Sequence, residues 1–202
     1  MTYATYADVL RPKTRPLAWL YNLTLIAGGS LLVAISAQVA VHLPFSPVPI
    51  TMQTLAVLLV AVLLGSIRGS VSMLLYLAEG AAGLPVFAGG MAGAAHILGP
   101  TGGYLLGFVL CSYLVGYLAE QGWDRKVSTT LMAMVLGTLM IYLPGLIWLA
   151  VYTNSENVLA LGLYPFLPGA VIKIIAATSI LPVGWKLIGR RGSQHESPGD
   201  GQ

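Results

Sequence analysis

The sequence predicts an all-α integral membrane protein that crosses the bilayer six times. Of its 202 residues, 56% are hydrophobic and 8% are charged, whereas about a quarter of the residues in a soluble domain are charged. Apolar segments alternate along the chain with short segments rich in proline, glycine or charge. The composition excludes a soluble domain, and the 10 lysines and arginines are too dispersed to form a nucleic-acid-binding face.

The chain divides into a leader, one membrane domain and a tail. Residues 1–18 are polar, carry basic residues and prolines, and are expected to be a cytosolic leader. The predicted helices of the membrane domain, residues 19–188, cover residues 19–43, 50–64, 70–83, 102–119, 127–152 and 168–188. Residues 189–202 are polar and glycine-rich, so we expect a disordered cytosolic tail.

Local signals define the ends of these helices. Trp19 opens the first helix at the level of an interfacial aromatic belt. Residues 44–49 contain three prolines, which exclude a helix there and predict a short, stiff connection. Residues 65–69 predict a tight turn between the second and third helices. Pro144 is expected to kink the fifth helix, whereas Pro168 opens the sixth.

The segment between the third and fourth helices, residues 84–101, is apolar and unusually rich in glycine. It is too apolar for a solvated loop and too irregular for a helix. Irregular backbone at membrane depth is stable only where protein or a water-filled cavity satisfies its polar groups. We therefore expect this loop to cap a ligand pocket on the outer side of the membrane.

Every lysine and arginine except Lys173 falls on the side of the helices that both chain termini share. The positive-inside rule makes that side cytosolic, so the N- and C-termini are both predicted to face the cytosol. Lys173 lies about one turn into the sixth helix, toward the outside. A lysine near the bilayer centre costs roughly 2.5–3.5 kcal/mol. It should therefore either bind an anionic ligand or extend its ammonium group to the interface.

Three motifs occur in order: PVPITMQTLAVLL at residues 47–59, GLPVFAGG at residues 83–90 and LGPTGGYLLGF at residues 98–108. With these motifs the chain resembles the BioY family, the biotin-binding S components of energy-coupling factor (ECF) transporters, over residues 28–185. The resemblance implies six helices in a prokaryotic plasma membrane and high-affinity capture of biotin from outside. It also implies a transmembrane T subunit and cytosolic ATP-binding subunits as partners, with biotin as the transported ligand and no cofactor.

The resemblance also suggests roles for individual residues. Lys173 matches the family's lysine in the last helix and is expected to bind the biotin carboxylate. Gly89 and Phe87 match the loop expected to cover the bicyclic ring, and Tyr104 matches the pocket end of the fourth helix.

Two small residues on the first helix, Ser30 and Ala34, have the spacing that the family uses to dock the T subunit. Packing within the protein itself is an open alternative for this pair.

One position departs from the family pattern, because Ala170 stands where many members carry an acid that binds the ureido ring. Gln53 and Glu79 are candidates to supply the missing hydrogen bonds. For Gln53 the alternative is a structural hydrogen bond between helices. Glu79 could instead be a counter-ion to Lys173.

Several functions compete at this point. The sequence favours a transport subunit that binds biotin, with another small anionic vitamin or a solitary carrier without ATPase partners as alternatives. An intramembrane enzyme using Glu79 and His96 is disfavoured, because the sequence has neither Gly-x-Ser-x-Gly nor His-Glu-x-x-His. A channel is disfavoured because no filter motif is present. His96 has no companion ligands at metal-binding spacing, so we expect no metal site.

Overall fold

The computed structural model describes residues 3–12 and 14–194, with side chains up to Trp185. Its described part is almost entirely helical and contains one small antiparallel hairpin. The elements are α1 (Tyr6–Val9), α2 (Arg15–Gln38), β1 (Ala40–Val41), β2 (Ile50–Thr51), α3 (Gln53–Leu64), α4 (Ser66–Ala81), α5 (Ala94–Ile97), α6 (Gly102–Glu120), α7 (Val127–Thr153), α8 (Val158–Gly162) and α9 (Leu167–Gln194). Three 3₁₀ turns lie at Ala88–Gly90, Trp123–Arg125 and Tyr164–Phe166.

Four helical segments of the described chain are long and apolar enough to cross a membrane: Arg15–Gln38, Gly102–Glu120, Val127–Thr153 and Val158–Trp185. A fifth apolar helix, α3, has only 12 residues. The all-α character predicted from the sequence is therefore confirmed, and the protein is a multi-pass membrane protein.

The first predicted helix differs from the structure at both ends. The helix α2 begins at Arg15, with Pro16 in its first turn, and ends at Gln38. After it the chain forms the hairpin, in which Ala40 pairs with Thr51 and Val41 pairs with Ile50. The hairpin forms because the proline-rich connection, residues 44–49, returns the chain on itself.

The predicted turn at residues 65–69 is reduced to a single residue. Gly65 has φ +86°, a conformation that glycine adopts without strain, and α4 begins directly at Ser66. The backbone N–H of Ser66 donates to Glu120 Oε1 at 2.7 Å, so a carboxylate from α6 caps the start of α4.

The two ends of the chain contain more helix than the sequence suggests. In the predicted leader, α1 forms a short helical turn in which Ala7 is buried. The last helix continues to Gln194, past its predicted end at residue 188. The remainder of the predicted tail, residues 195–202, lies outside the described residues.

The helix α6 lies at the centre of the bundle and packs against α3, α4 and α7. Glycines permit this close packing. A Cβ at Gly107 would lie 2.8 Å from Ile141 Cα of α7, and a Cβ at Gly116 would lie 2.4 Å from Ser66 N of α4. Residues 127–153 form one helix that continues through Pro144.

Candidate ligand-binding site

A cavity of about 60 Å³ lies between the hairpin, the loop of residues 84–101 and the helices α3, α6, α7 and α9. Its walls are mainly apolar, as in most small-molecule sites. The aromatic side chains that line it are Phe87, Tyr104, Phe108, Tyr142 and Phe166. Its other polar lining residues are Thr51, Gln53, Thr54, His96, Thr101 and Lys173.

Lys173 is held against the start of α3. Its Nζ donates to the backbone oxygen of Thr51 at 2.5 Å and to Thr54 Oγ1 at 2.8 Å. Both acceptors are neutral, and among the described side chains the ammonium group forms no salt bridge. A lysine ammonium has three N–H donors. One N–H of the Lys173 ammonium group thus has no acceptor among the described residues.

Tyr104 lines the cavity with its ring while its hydroxyl is bound by the protein. The hydroxyl donates to the backbone oxygen of Gly162 at 2.8 Å. The ring meets Tyr142 edge to face, with centroids 6.2 Å apart. It fits against α7 because Gly145 has no side chain; a Cβ there would lie 2.4 Å from Tyr104 Cδ1.

Phe87 and His96 form one wall of the cavity, which we call the aromatic wall. Their rings are stacked, with centroids 4.8 Å apart and an interplanar angle of 19°. The His96 Nε2 lies 3.3 Å from Thr101 Oγ1. Burial lowers the pKa of His96, which favours its uncharged form. Lys173 is the one lysine among the described residues that line the cavity, and none of those residues is an arginine.

Gly89 lies beside the cavity, whereas its neighbour Ala88 lines it. Gly89 has φ +68°, which the loop requires to turn at this point. A Cβ on Gly89 would be 3.1 Å from His42 Cε1, so this turn lies against the segment that follows β1.

Gln53 lines the cavity and also joins three elements. Its Nε2 donates to the Tyr76 hydroxyl at 2.7 Å, and that hydroxyl donates to the backbone oxygen of Val86 at 3.1 Å. Its Oε1 accepts a hydrogen bond from Thr51 Oγ1 at 3.0 Å. Gln53 therefore has the structural role left open by the sequence, and it keeps one amide N–H for another partner.

Glu79 lies outside the set of residues that line the cavity. Its Oε2 accepts a hydrogen bond from Ser30 Oγ at 2.5 Å, and it forms no salt bridge with Lys173. Ser30 is 0% exposed and Ala34 is 7% exposed, so both face the interior of the protein. In this conformation the pair packs within the bundle, which is the alternative to partner docking.

Several cavity residues were not identified from the sequence. Thr51 and Thr54 belong to the motif at residues 47–59, but polar residues of this type are common in membrane helices and gave no separate signal. The sequence indicates only a loop residue at His96, because no companion ligands accompany it. Its role in the cavity depends on stacking with Phe87, which the sequence does not reveal. Ala170 packs against the core rather than lining the cavity.

The sequence model of the BioY family matches residues 10–190. The chain belongs to the BioY family. It is 37% identical over 160 residues to a probable biotin transporter BioY of Pyrococcus horikoshii, covering 79% of this chain and 92% of the relative. It is 38% identical over 169 residues to the biotin transporter BioY2 of Lactococcus lactis, covering 84% and 91%.

A solved structure supports the same relationship. The S-component for biotin from an ECF-type ABC transporter superposes with a TM-score of 0.74 at 29% sequence identity. The match covers 87% of this chain and 95% of that chain. The chain therefore shares its fold with a biotin S component.

Proposed function

We propose that this BioY-family chain is the biotin-capturing S component of an ECF-type transporter. The observation that carries the proposal is Lys173, whose charge meets only neutral acceptors beside an aromatic-lined cavity. Biotin presents one carboxylate at the end of an aliphatic chain and a compact bicyclic ring. The relatives named as biotin transporters and the solved biotin S component support the choice of ligand.

In this proposal the carboxylate of biotin accepts the remaining N–H of Lys173. A hydrogen bond between charged groups contributes about 1.5–3 kcal/mol. Phe87 and Tyr104 provide flat apolar surface for the ring, and the turn at Gly89 helps to close the loop over it. Gln53 can donate its free amide N–H to the ureido oxygen. This hydrogen bond replaces part of the bonding to the ureido ring that the family's usual acid provides and that Ala170 lacks.

The same proposal includes six membrane spans, formed by α2, α3, α4, α6, α7 and α9, with both termini in the cytosol of a prokaryotic cell. The distribution of lysine and arginine supports this orientation. A transmembrane T subunit and cytosolic ATP-binding subunits would supply the energy for release of biotin inside. Uptake of biotin by proteoliposomes that contain this chain alone, without ATP, would instead support a solitary carrier.

The test is isothermal titration of the detergent-purified protein with biotin and with biotin methyl ester. We expect Lys173→Ala to weaken biotin binding by one to two orders of magnitude, about 1.4–2.8 kcal/mol. The ester should bind wild type as weakly as biotin binds the variant. Lys126→Ala, which removes an exposed lysine at the start of α7, is the matched control and should bind normally.

Two results would contradict the proposal. Equal affinities for biotin and its ester would show that Lys173 does not bind the biotin carboxylate. Failure of the wild-type protein to bind biotin would favour another small anionic vitamin, a possibility that Ala170 raises because the family's usual acid is missing there.

A further inference from the structure

Phe87 of the aromatic wall packs directly on Gly80 of α4. A Cβ added to Gly80 would lie 2.0 Å from Phe87 Cζ and 2.5 Å from both Phe87 Cε atoms. Such distances are far below van der Waals contact, and Phe87 is 0% exposed. No residue with a side chain fits at Gly80 while Phe87 keeps its position.

Contacts hold Phe87 on several sides, and the cavity lies on another. Tyr76 meets the ring edge to face, with centroids 5.5 Å apart and an angle of 84°. His96 covers one face of the ring. The backbone N–H of Gly93 donates to the Gly80 oxygen at 2.8 Å, so the returning loop is bound at the same point. Phe87 and His96 both line the cavity, so open space for a displaced Phe87 ring lies on that side.

We infer that Gly80 is a specificity-determining residue, which sets how far the aromatic wall lies from the cavity and so how large a ring the cavity accepts. Gly80 does not itself line the cavity; it acts by positioning Phe87. The identity of the ring rests on the proposed function. The packing of Phe87 on Gly80 does not depend on the proposed function.

The first experiment is a double-mutant cycle with Gly80→Ala and Phe87→Leu, measured by isothermal titration with biotin. Leucine lacks the Cζ and Cε atoms that the new methyl group would meet. We expect Gly80→Ala to lower the affinity for biotin at least tenfold in the wild-type background and less than twofold in the Phe87→Leu background. The control is Gly28→Ala in α2, whose Cβ would meet no atom within 4 Å; it should bind normally.

A second ligand distinguishes a smaller cavity from a general loss of structure as the cause of weaker binding in Gly80→Ala. Dethiobiotin keeps the carboxylate chain and the ureido ring of biotin but lacks its thioether ring. Gly80→Ala should therefore lower the affinity for dethiobiotin less than it lowers the affinity for biotin. Equal loss for both ligands, or the same loss in both backgrounds, would overturn the inference.

Hydrogen exchange of the ligand-free protein tests the packing without biotin. We expect Gly80→Ala to accelerate amide exchange in residues 84–101, and Phe87→Leu in the same chain to restore slow exchange. Gly28→Ala should match wild type. Unchanged exchange in Gly80→Ala would overturn the inference. If wild type does not bind biotin, the proposed function fails while this measurement still decides whether Gly80 positions the loop.

Discussion

Ser30 of α2 and Glu79 of α4 share a partly buried hydrogen bond, in which Ser30 Oγ donates to Glu79 Oε2 at 2.5 Å. From the sequence, Ser30 is a candidate for partner docking and Glu79 a candidate for ligand binding, each with a structural role as the alternative. In the structure they connect two helices away from the cavity. Their common role is therefore structural in this conformation.

We expect Ser30→Ala to lower the free energy of unfolding by about 1–3 kcal/mol, because the Glu79 carboxylate loses a partner in a partly buried position. Biotin affinity should change less than twofold. Thermal unfolding in detergent measures the stability, and titration measures the affinity for biotin. Ser36→Ala is the control, since the Ser36 hydroxyl donates to its own helix at Val33. A Ser30→Ala variant that loses affinity at unchanged stability would contradict this interpretation.

The sequence could predict the helical class and could single out Lys173 as a candidate site residue, but it could not predict which helix faces are buried. A membrane helix is apolar toward lipid as well as toward the protein, so apolar periodicity does not distinguish the two sides. Ser30 and Ala34 were therefore recognisable as small residues without any indication that they face inward. The hydrogen-bond partners of Lys173 could not be predicted from the sequence either. Thr51 and Thr54 lie about 120 residues earlier in the chain, and only tertiary packing brings them together.

Short elements were the other features that the sequence did not define. The proline-rich connection was predicted, but the hairpin around it depends on backbone pairing between residues 40–41 and 50–51. The abrupt start of α4 after Gly65 depends on Glu120, a residue from α6. Both features arise from contacts distant in sequence, which local propensity does not record.

Thr54→Val should weaken biotin binding, because it removes a neutral acceptor that orients Lys173. The loss of one such hydrogen bond is worth about 0.5–1.5 kcal/mol, which is roughly two- to tenfold in affinity. Thr54→Ser keeps the hydroxyl and should bind nearly as wild type. Titration with biotin compares the three proteins. Equal affinity in Thr54→Val and Thr54→Ser would show that the hydroxyl has no positioning role.

Gly145→Ala should destabilise the protein through Tyr104. The new Cβ would lie 2.4 Å from Tyr104 Cδ1, and moving the ring breaks its hydrogen bond to Gly162. Overpacking of this kind typically costs about 1–3 kcal/mol. Gly28→Ala adds the same methyl group where no atom lies within 4 Å, so its unfolding midpoint should equal or exceed that of wild type. Equal midpoints for the two variants would exclude the close contact at Tyr104.

The ion pair between Asp8 of α1 and Arg68 of α4 should make stability depend on pH at the acid end. Burial alone would raise the pKa of Asp8, but hydrogen bonds from Arg68 and Thr5 outweigh it and hold that pKa below its usual 3.8. A carboxyl group whose pKa is lower in the folded state stabilises that state above its unfolded pKa. This contribution is lost as the pH falls through the folded pKa.

We therefore expect Asp8→Asn to unfold at a lower temperature than wild type at pH 7. The difference should stay constant down to about pH 5 and shrink below about pH 4, where Asp8 of wild type becomes protonated. Thermal unfolding of the ligand-free proteins between pH 7 and pH 3 measures it. Glu156→Gln, which neutralises an exposed carboxylate without a salt bridge among the described residues, should unfold like wild type at every pH. A difference that stays constant to pH 3 would mean that the Asp8 carboxylate adds nothing through its charge.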